Sequence, residues 1–236
     1  VGGAAGAAAA DGGAAGGQGW GVKQFGLSRD VAVVPRQTAL LFIDVQNYTM
    51  EGGGEYGGLE AAEVERRYGF FFREMRTRAI PNMRLLQTAC RAAGIEVMYT
   101  VIGSLTQDGR DLSLDYKISG LFCPKDSHDA RVLDDIAPVG DEIVLTKTSS
   151  SAFISTNAHY VLGNLGIRQL IIAGALTDQC VDSAVRDACD LGYLVSLATD
   201  ACATQSQARH DASLANNAGY CRQMTTAALL AELAAA

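Results

Sequence analysis

The sequence predicts an α/β protein: a three-layer, doubly wound, mostly parallel six-stranded sheet with helices on both faces. Three observations carry this expectation. Short apolar runs such as ALLFID (39–44), IEVMYTVI (95–102) and QLIIA (169–173) read as buried strands, because a strand covered on both faces loses the alternation of a half-exposed one. Between them lie stretches whose apolar residues recur three and four apart, as on one face of a helix. Several runs also end at a polar or reactive side chain, where an open α/β sheet places its ligand crevice.

Each element follows in order. Residues 39–44 are the first strand, and EGGGEYGG (51–58) is a glycine-rich loop. Residues 61–78 and 81–93 read as two helices. In the second, Met83, Leu86, Ala89 and Cys90 share a face, Pro81 opens the helix and Gly94 closes it. Residues 95–102 are the second strand. Residues 103–140 are polar and irregular, longer than an ordinary connection, and loops of that length often carry function. EIVLT (142–146) is the third strand and ends at Lys147. A helix over 156–165 closes at Gly166, and the fourth strand spans 169–173. A helix over 178–191 closes at Gly192, and YLVSLA (193–198) is the fifth strand. A helix over 205–218, a sixth strand at 220–224 and a helix at 226–235 complete the set.

Glycine divides the chain into two regions. Of 26 glycines in 236 residues, eight lie with eight alanines in residues 1–19. That stretch reads as a flexible tail, and 20–236 as a single domain. With 48% hydrophobic and 19% charged residues, general disorder of the domain is excluded. A net charge of −7 without a basic run gives no footprint for nucleic acid or an anionic membrane. No apolar run approaches the ~18 residues of a membrane span, and the first residues lack the basic-then-apolar pattern of a secretory signal. Six cysteines, none in a CxxC pair, suit a reducing, cytoplasmic compartment. His128, His159 and His210 have no ligand spacing, so no metal and no cofactor is expected.

Three strand ends supply reactive side chains: Asp44, Lys147 and, just after the fourth strand, Cys180. Parallel strands place all three on one edge of the sheet. A cysteine with a carboxylate and an ammonium can run nucleophilic acyl chemistry. The sulfur attacks, Asp44 moves the proton, and Lys147 holds the carboxylate. Thr177 or Asp178 is expected to cap the helix that carries Cys180. The helix N-terminus and the Lys147 charge are expected to lower the thiol pKa, with Asp44 opposing them. Taken singly, each residue has an ordinary role: a buried thiol as filler, a carboxylate as turn cap, a solvated lysine.

The segments LLFIDVQN around Asp44, LTKTSSSAF (145–153) and IIAGALTDQCVDSAVRDACDLGY (171–193) resemble those of the isochorismatase-like hydrolases, or cysteine hydrolase family. The resemblance runs over about 37–235. It implies a catalytic triad of Asp44, Lys147 and Cys180, a cis peptide between Ala175 and Leu176, and an oxyanion hole formed by the N–H groups of Leu176 and Cys180. It further implies a thioester route that hydrolyses a small amide or ureide and releases ammonia or an amine. Residues 95–110 contain no histidine, unlike the metal site of nicotinamidases. Cys180 is present where siderophore-type isochorismatases lack the cysteine. The metal-free amidohydrolases of ureidoacrylate, biuret and N-carbamoylsarcosine remain.

Two other readings stay open: a vinyl ether hydrolase with Asp44 as the acid, and a non-catalytic oligomeric scaffold. Gln46, Asn47, Tyr48 and Ala175 are candidate substrate contacts. Tyr56 and Tyr116 are candidates for the mouth, and Arg110 and Lys117 for meeting a substrate carboxylate. The resemblance implies a homodimer or homotetramer, with the aromatic segment 70–72 reaching a neighbouring copy.

Overall fold

Six strands form one sheet in the order β3-β2-β1-β4-β5-β6, and every neighbouring pair is parallel. They are β1 (Thr38–Ile43), β2 (Glu96–Ile102), β3 (Ile143–Lys147), β4 (Gln169–Ala175), β5 (Leu194–Ala203) and β6 (Arg222–Met224). This is the doubly wound order, and its direction reverses between β1 and β4. The computed structural model describes residues 27–235; the stretch 1–19 read as a tail, and the start of the domain at 20, lie outside them.

The central strand shows why the sheet has two cores. All six residues of β1 are buried. Successive side chains point to opposite faces. Leu40 and Phe42 pack with Phe71, Phe72, Met83 and Leu86, whereas Leu41 and Ile43 pack with Phe153, Leu162, Val185 and Ala188. Helices therefore cover both faces. The helices among the described residues are α1 (Ala61–Glu74), α2 (Ile80–Ala92), α3 (Leu114–Ser119), α4 (Ala152–Ser155), α5 (Ala158–Asn164), α6 (Asp182–Asp190), α7 (Gln207–Asn217) and α8 (Thr226–Ala235), with α3 packed outside the two cores. Among the described residues, no helix is long and apolar enough to cross a membrane.

Several elements differ from expectation, each for a local reason. The two helices expected over 61–93 are one continuous helical run, joined by a π-helical stretch at Met75–Ala79. Pro81 lies in the first turn of α2. The widened turn just ahead of it gives room to the carbonyls that a proline ring would otherwise strike. Of the aromatic segment expected to be exposed, Phe71 and Phe72 lie in the core and Phe70 is half-buried.

The 103–140 segment is not wholly irregular. It contains α3, where the Ser113 hydroxyl accepts the Tyr116 N–H at 3.2 Å and Gly120 closes the helix at φ 73°. Six residues are too few for a periodicity to show. The helix expected over 156–165 is α5; a short α4 precedes it, separated from it where Thr156 turns extended. β5 continues five residues beyond the expected end, through Thr199 and Asp200. There Asp200 Oδ1 accepts the N–H and hydroxyl of Thr226 at the start of α8 (2.7 and 2.8 Å).

Candidate active site

β1 stops at Asp44, which takes φ 54°, a left-handed conformation that aspartate tolerates better than most residues. Its N–H donates to Thr100 O on β2 at 3.0 Å, and the Thr100 hydroxyl donates to Asp44 Oδ1 at 2.9 Å. The backbone thus leaves the sheet while the carboxylate stays fixed to it. Lys147, the last residue of β3, is fully buried. Its Nζ lies 2.8 Å from Asp44 Oδ2 and donates to Tyr116 Oη (2.7 Å), Ser149 O (2.9 Å) and Cys180 Sγ (3.3 Å). Asp44 Oδ2 meets the ammonium outside hydrogen-bond geometry and has no other partner, so it keeps acceptor capacity.

Cys180 arrives from β4. Gly174 sits at φ 138°, and a Cβ there would lie 2.2 Å from Ile43 O, so only glycine lets β4 approach β1 this closely. The Ala175–Leu176 peptide bond is cis. A π-helical turn, Thr177–Val181, then carries Cys180 into α6, with the N–H groups of Gln179 and Val181 both donating to Leu176 O (3.1 and 3.2 Å).

Neither Thr177 nor Asp178 caps this turn. Both side chains turn to the β5–α7 region instead. Thr177 Oγ1 pairs with His210 Nδ1 at 2.9 Å, and the Thr177 carbonyl accepts the Ser213 hydroxyl at 3.1 Å. Asp178 accepts from Thr204 and Arg209, each at 2.5 Å. The expected cap is thus replaced by a brace from α7, whose partners lie some thirty residues away and carry no local signature.

The electrostatics also depart from expectation. Burial is the largest single influence on the Lys147 ammonium and works against it, but Asp44, Cys180 and Tyr116 together outweigh it, so its pKa stands above the ordinary value. Burial pushes the Cys180 thiol up to about 12, and the Asp44 charge adds to the rise while Lys147 opposes it. The expected lowering does not occur. The cation is already paired with Asp44, so its field at the sulfur is largely cancelled and desolvation decides. The resting arrangement is a neutral thiol beside an ion pair.

A cavity of about 360 Å³ opens onto Asp44, Ala175, Leu176 and Cys180, with Tyr56 and Tyr116 in its wall. Lys147 sits behind this lining. Three of the candidate substrate contacts do not reach it. The Gln46 amide donates to Ile102 O (2.9 Å) and Asp129 O (3.1 Å) and accepts the Ile102 N–H (2.5 Å). Asn47 donates to His128 O, and the Tyr48 hydroxyl accepts the Phe122 N–H. These side chains bind the 121–132 segment to the end of the sheet, because buried amides and hydroxyls must satisfy their own hydrogen bonds.

Arg110 pairs with Asp108, and Lys117 donates to Arg110 O, both at the exposed surface. Glu55, Asp115 and Ser119 do line the cavity and had no signal in the sequence beyond their place in long loops. Among the described residues, no group of three His, Cys, Asp or Glu side chains is placed to hold a metal ion.

Comparison with known proteins gives a consistent picture. The isochorismatase domain family model matches residues 38–228. The ureidoacrylate amidohydrolase RutB of Rhizobium rhizogenes is 30% identical over 188 residues, 72% of this chain and 72% of that one. An N-carbamoylsarcosine amidase from an Arthrobacter species is 37% identical over 119 residues, 48% of this chain and 45% of that one. The crystal structure of a cysteine hydrolase from Pseudomonas syringae pv. phaseolicola superposes with a TM-score of 0.72 at 21% identity, covering 87% of this chain and 96% of that one. At that identity the likeness is one of fold.

Proposed function

Because the chain belongs to the isochorismatase family, we propose that it is an amidohydrolase acting on the linear amide or ureide C–N bond of a small molecule. The relatives named for amidohydrolase and amidase activity support this class of reaction. The observation that carries the mechanism is the meeting of three strand-end side chains. Lys147 Nζ stands 2.8 Å from Asp44 Oδ2 and 3.3 Å from Cys180 Sγ, behind a cavity that opens onto the carboxylate and the sulfur.

In the proposed reaction, Cys180 Sγ attacks the carbonyl carbon as Asp44 takes the thiol proton. A thiol of raised pKa needs such a base at the moment of attack. The carbonyl oxygen becomes an oxyanion, held by the N–H groups of Leu176 and Cys180. As the C–N bond breaks, Asp44 returns the proton to the departing nitrogen, which leaves as ammonia or an amine. A thioester remains. Water then attacks it while Asp44 accepts a proton. The C–S bond breaks, the acid leaves, and the sulfur is reprotonated. Lys147 stays charged throughout and pairs with Asp44 between proton transfers.

The test pairs turnover with trapping. Ammonia release from short amides and ureides should vanish in Cys180→Ala, and intact-mass measurement of the unaltered chain with substrate should show an acyl adduct. Retained turnover in Cys180→Ala, with loss in Asp44→Asn, would overturn the thioester in favour of ether-type hydrolysis with Asp44 as acid. The same reading has residues 20–236 act as one domain, in the cytoplasm and as a homodimer or homotetramer. The six free thiols support the compartment. The exposed Val144 on the edge strand β3, with Leu105 and Ile154 beside it, supports the assembly. A monomeric mass by light scattering would sink the assembly.

A further inference from the structure

The charged side chains that line the cavity are Asp44, Glu55 and Asp115, and among the described residues no lysine, arginine or histidine lines it. The site's own cation does not redress the balance. Lys147 is turned to Asp44, Tyr116 and Ser149 from behind the lining. Once Lys147 neutralises Asp44, two carboxylates from different elements still face the space. Glu55 belongs to the short 3-10 turn Gly54–Tyr56 after β1, and Asp115 to the first turn of α3. The nearby cations are held elsewhere, Arg110 on Asp108 and Lys117 on the Arg110 carbonyl.

We infer that this cavity takes amides and ureides whose far end is neutral or positively charged, and turns away those ending in a carboxylate, with Glu55 as a selecting side chain. The inference rests on the amide-hydrolysis reading for its substrate class. It stands on the cavity's charge for its direction. A ligand anion would enter against two like charges in a space where burial already disfavours charge. A ligand ammonium or N–H donor would meet acceptors that the free protein leaves poorly matched. Glu55 reports this mismatch: burial raises its carboxyl to about 7, the Tyr56 hydroxyl beside it works the other way, and the Asp44 charge adds to the rise. The acrylate in the name of the Rhizobium relative's substrate is an anion, so the inference sets this chain's substrate apart from it.

Three ureides of matched length test it: 2-aminoethylurea (cationic), propylurea (neutral) and N-carbamoylglycine (anionic). Binding is read by calorimetry on Cys180→Ser. It is read independently, on the unaltered chain, as slowed alkylation of Cys180, so that a poorly folded variant decides nothing. The expected result at pH 8 is that the cation and the neutral ureide each bind at least about tenfold more tightly than the anion, and that Glu55→Gln shrinks the cation-to-anion ratio severalfold. Carbamoylglycine binding as well as propylurea, absence of binding by all three, or an unchanged ratio in Glu55→Gln would overturn the inference. Hydrolysis of the same ureides is measured separately. Binding in the expected order without ammonia release would overturn the amide-hydrolysis reading and leave the charge selection standing.

Discussion

The inner and outer parts of the site are built differently. The inner part consists of Asp44, Lys147 and Cys180, each fixed where a strand of the central sheet ends or just after it, and each at most 7% exposed. Its charges are matched, ammonium to carboxylate at 2.8 Å. The outer wall is carried by connections: Glu55 and Tyr56 after β1, Asp115 and Tyr116 in α3. There the tyrosine hydroxyls are hydrogen-bonded, Tyr56 to Thr49 O and Tyr116 by Lys147, but the carboxylates are not matched by cations. The difference separates two tasks. The sheet holds reacting groups at fixed spacing, and the connections set what can approach them.

Changes to the inner part should dominate the chemistry. Cys180→Ala is expected to lower turnover by about 10⁴-fold or more with the fold intact, and Asp44→Asn by roughly 10²–10⁴-fold, both read as ammonia release. Asp44→Asn should also change the thiol in the opposite sense. It removes the carboxylate charge that helps raise the Cys180 pKa and frees Lys147 to stabilise a thiolate. Iodoacetamide should therefore label Cys180 faster at pH 8 in the variant than in the unaltered chain, whose labelling keeps rising into alkaline pH. Equal rates would mean that Asp44 does not act on the sulfur.

The matched ion pair should be the more fragile part in stability. Lys147→Met leaves Asp44 buried without its cation, an expected loss of about 3–5 kcal/mol in denaturant unfolding. Adding Asp44→Asn to it should restore most of that loss and none of the activity. If the single variant unfolds like the unaltered chain, the pair does not hold the strand ends together. A smaller effect is expected from the brace behind Cys180. His210→Phe leaves the buried Thr177 hydroxyl without its partner, a loss of about 1–3 kcal/mol. Its kcat should fall more than KM changes, because the turn carrying Cys180 is what loses support.

The smallest effect belongs to the outer wall. Glu55 has a folded-state pKa raised from an ordinary 4.5 to about 7. Below pH 4.5 the carboxyl is protonated whether the chain is folded or not. As pH rises from 4.5 to 7 the unfolded chain releases the proton and the folded chain resists, so wild-type stability is lost across that window. Glu55→Gln has no such loss. Its Tm relative to the unaltered chain should rise between pH 4.5 and 8, by a few degrees at most; a difference that is flat with pH would show that the carboxylate is well solvated.

The same division explains what could be read from the sequence. Asp44, Lys147 and Cys180 each follow an apolar run, and a strand's length and direction place its last side chain without knowledge of any loop. The parallel order and the two-faced burial of β1 follow from the same runs. Glu55 and Asp115 lie in connections where no periodicity constrains the backbone, so only the folded chain brings them to the cavity. Thr177 and Asp178 are legible as polar residues at a helix start, but their partners are on α7 and at Thr204 ahead of it, beyond local pattern. The Cys180 pKa turned on burial and on a pairing between Lys147 and Asp44, both properties of the assembled site. Nearness to Asp44 in the sequence points to Gln46 as a substrate contact, whereas its amide is committed to backbone groups.

That commitment has a mechanical result. A primary amide offers the same donor and acceptor as a peptide group, and Gln46 presents both to Ile102. In effect its side chain adds one more rung to the ladder between β1 and β2 after the backbone of β1 has turned away at Asp44. The main chain is free to bend there and aim the carboxylate, while the hydrogen bonding that keeps the two strand ends in step continues without it. Because the same amide also grips Asp129 O, the connection following β2 is fastened at that rung too. Motion farther out along the connection is therefore stopped before it reaches the spacing between Asp44 and Lys147.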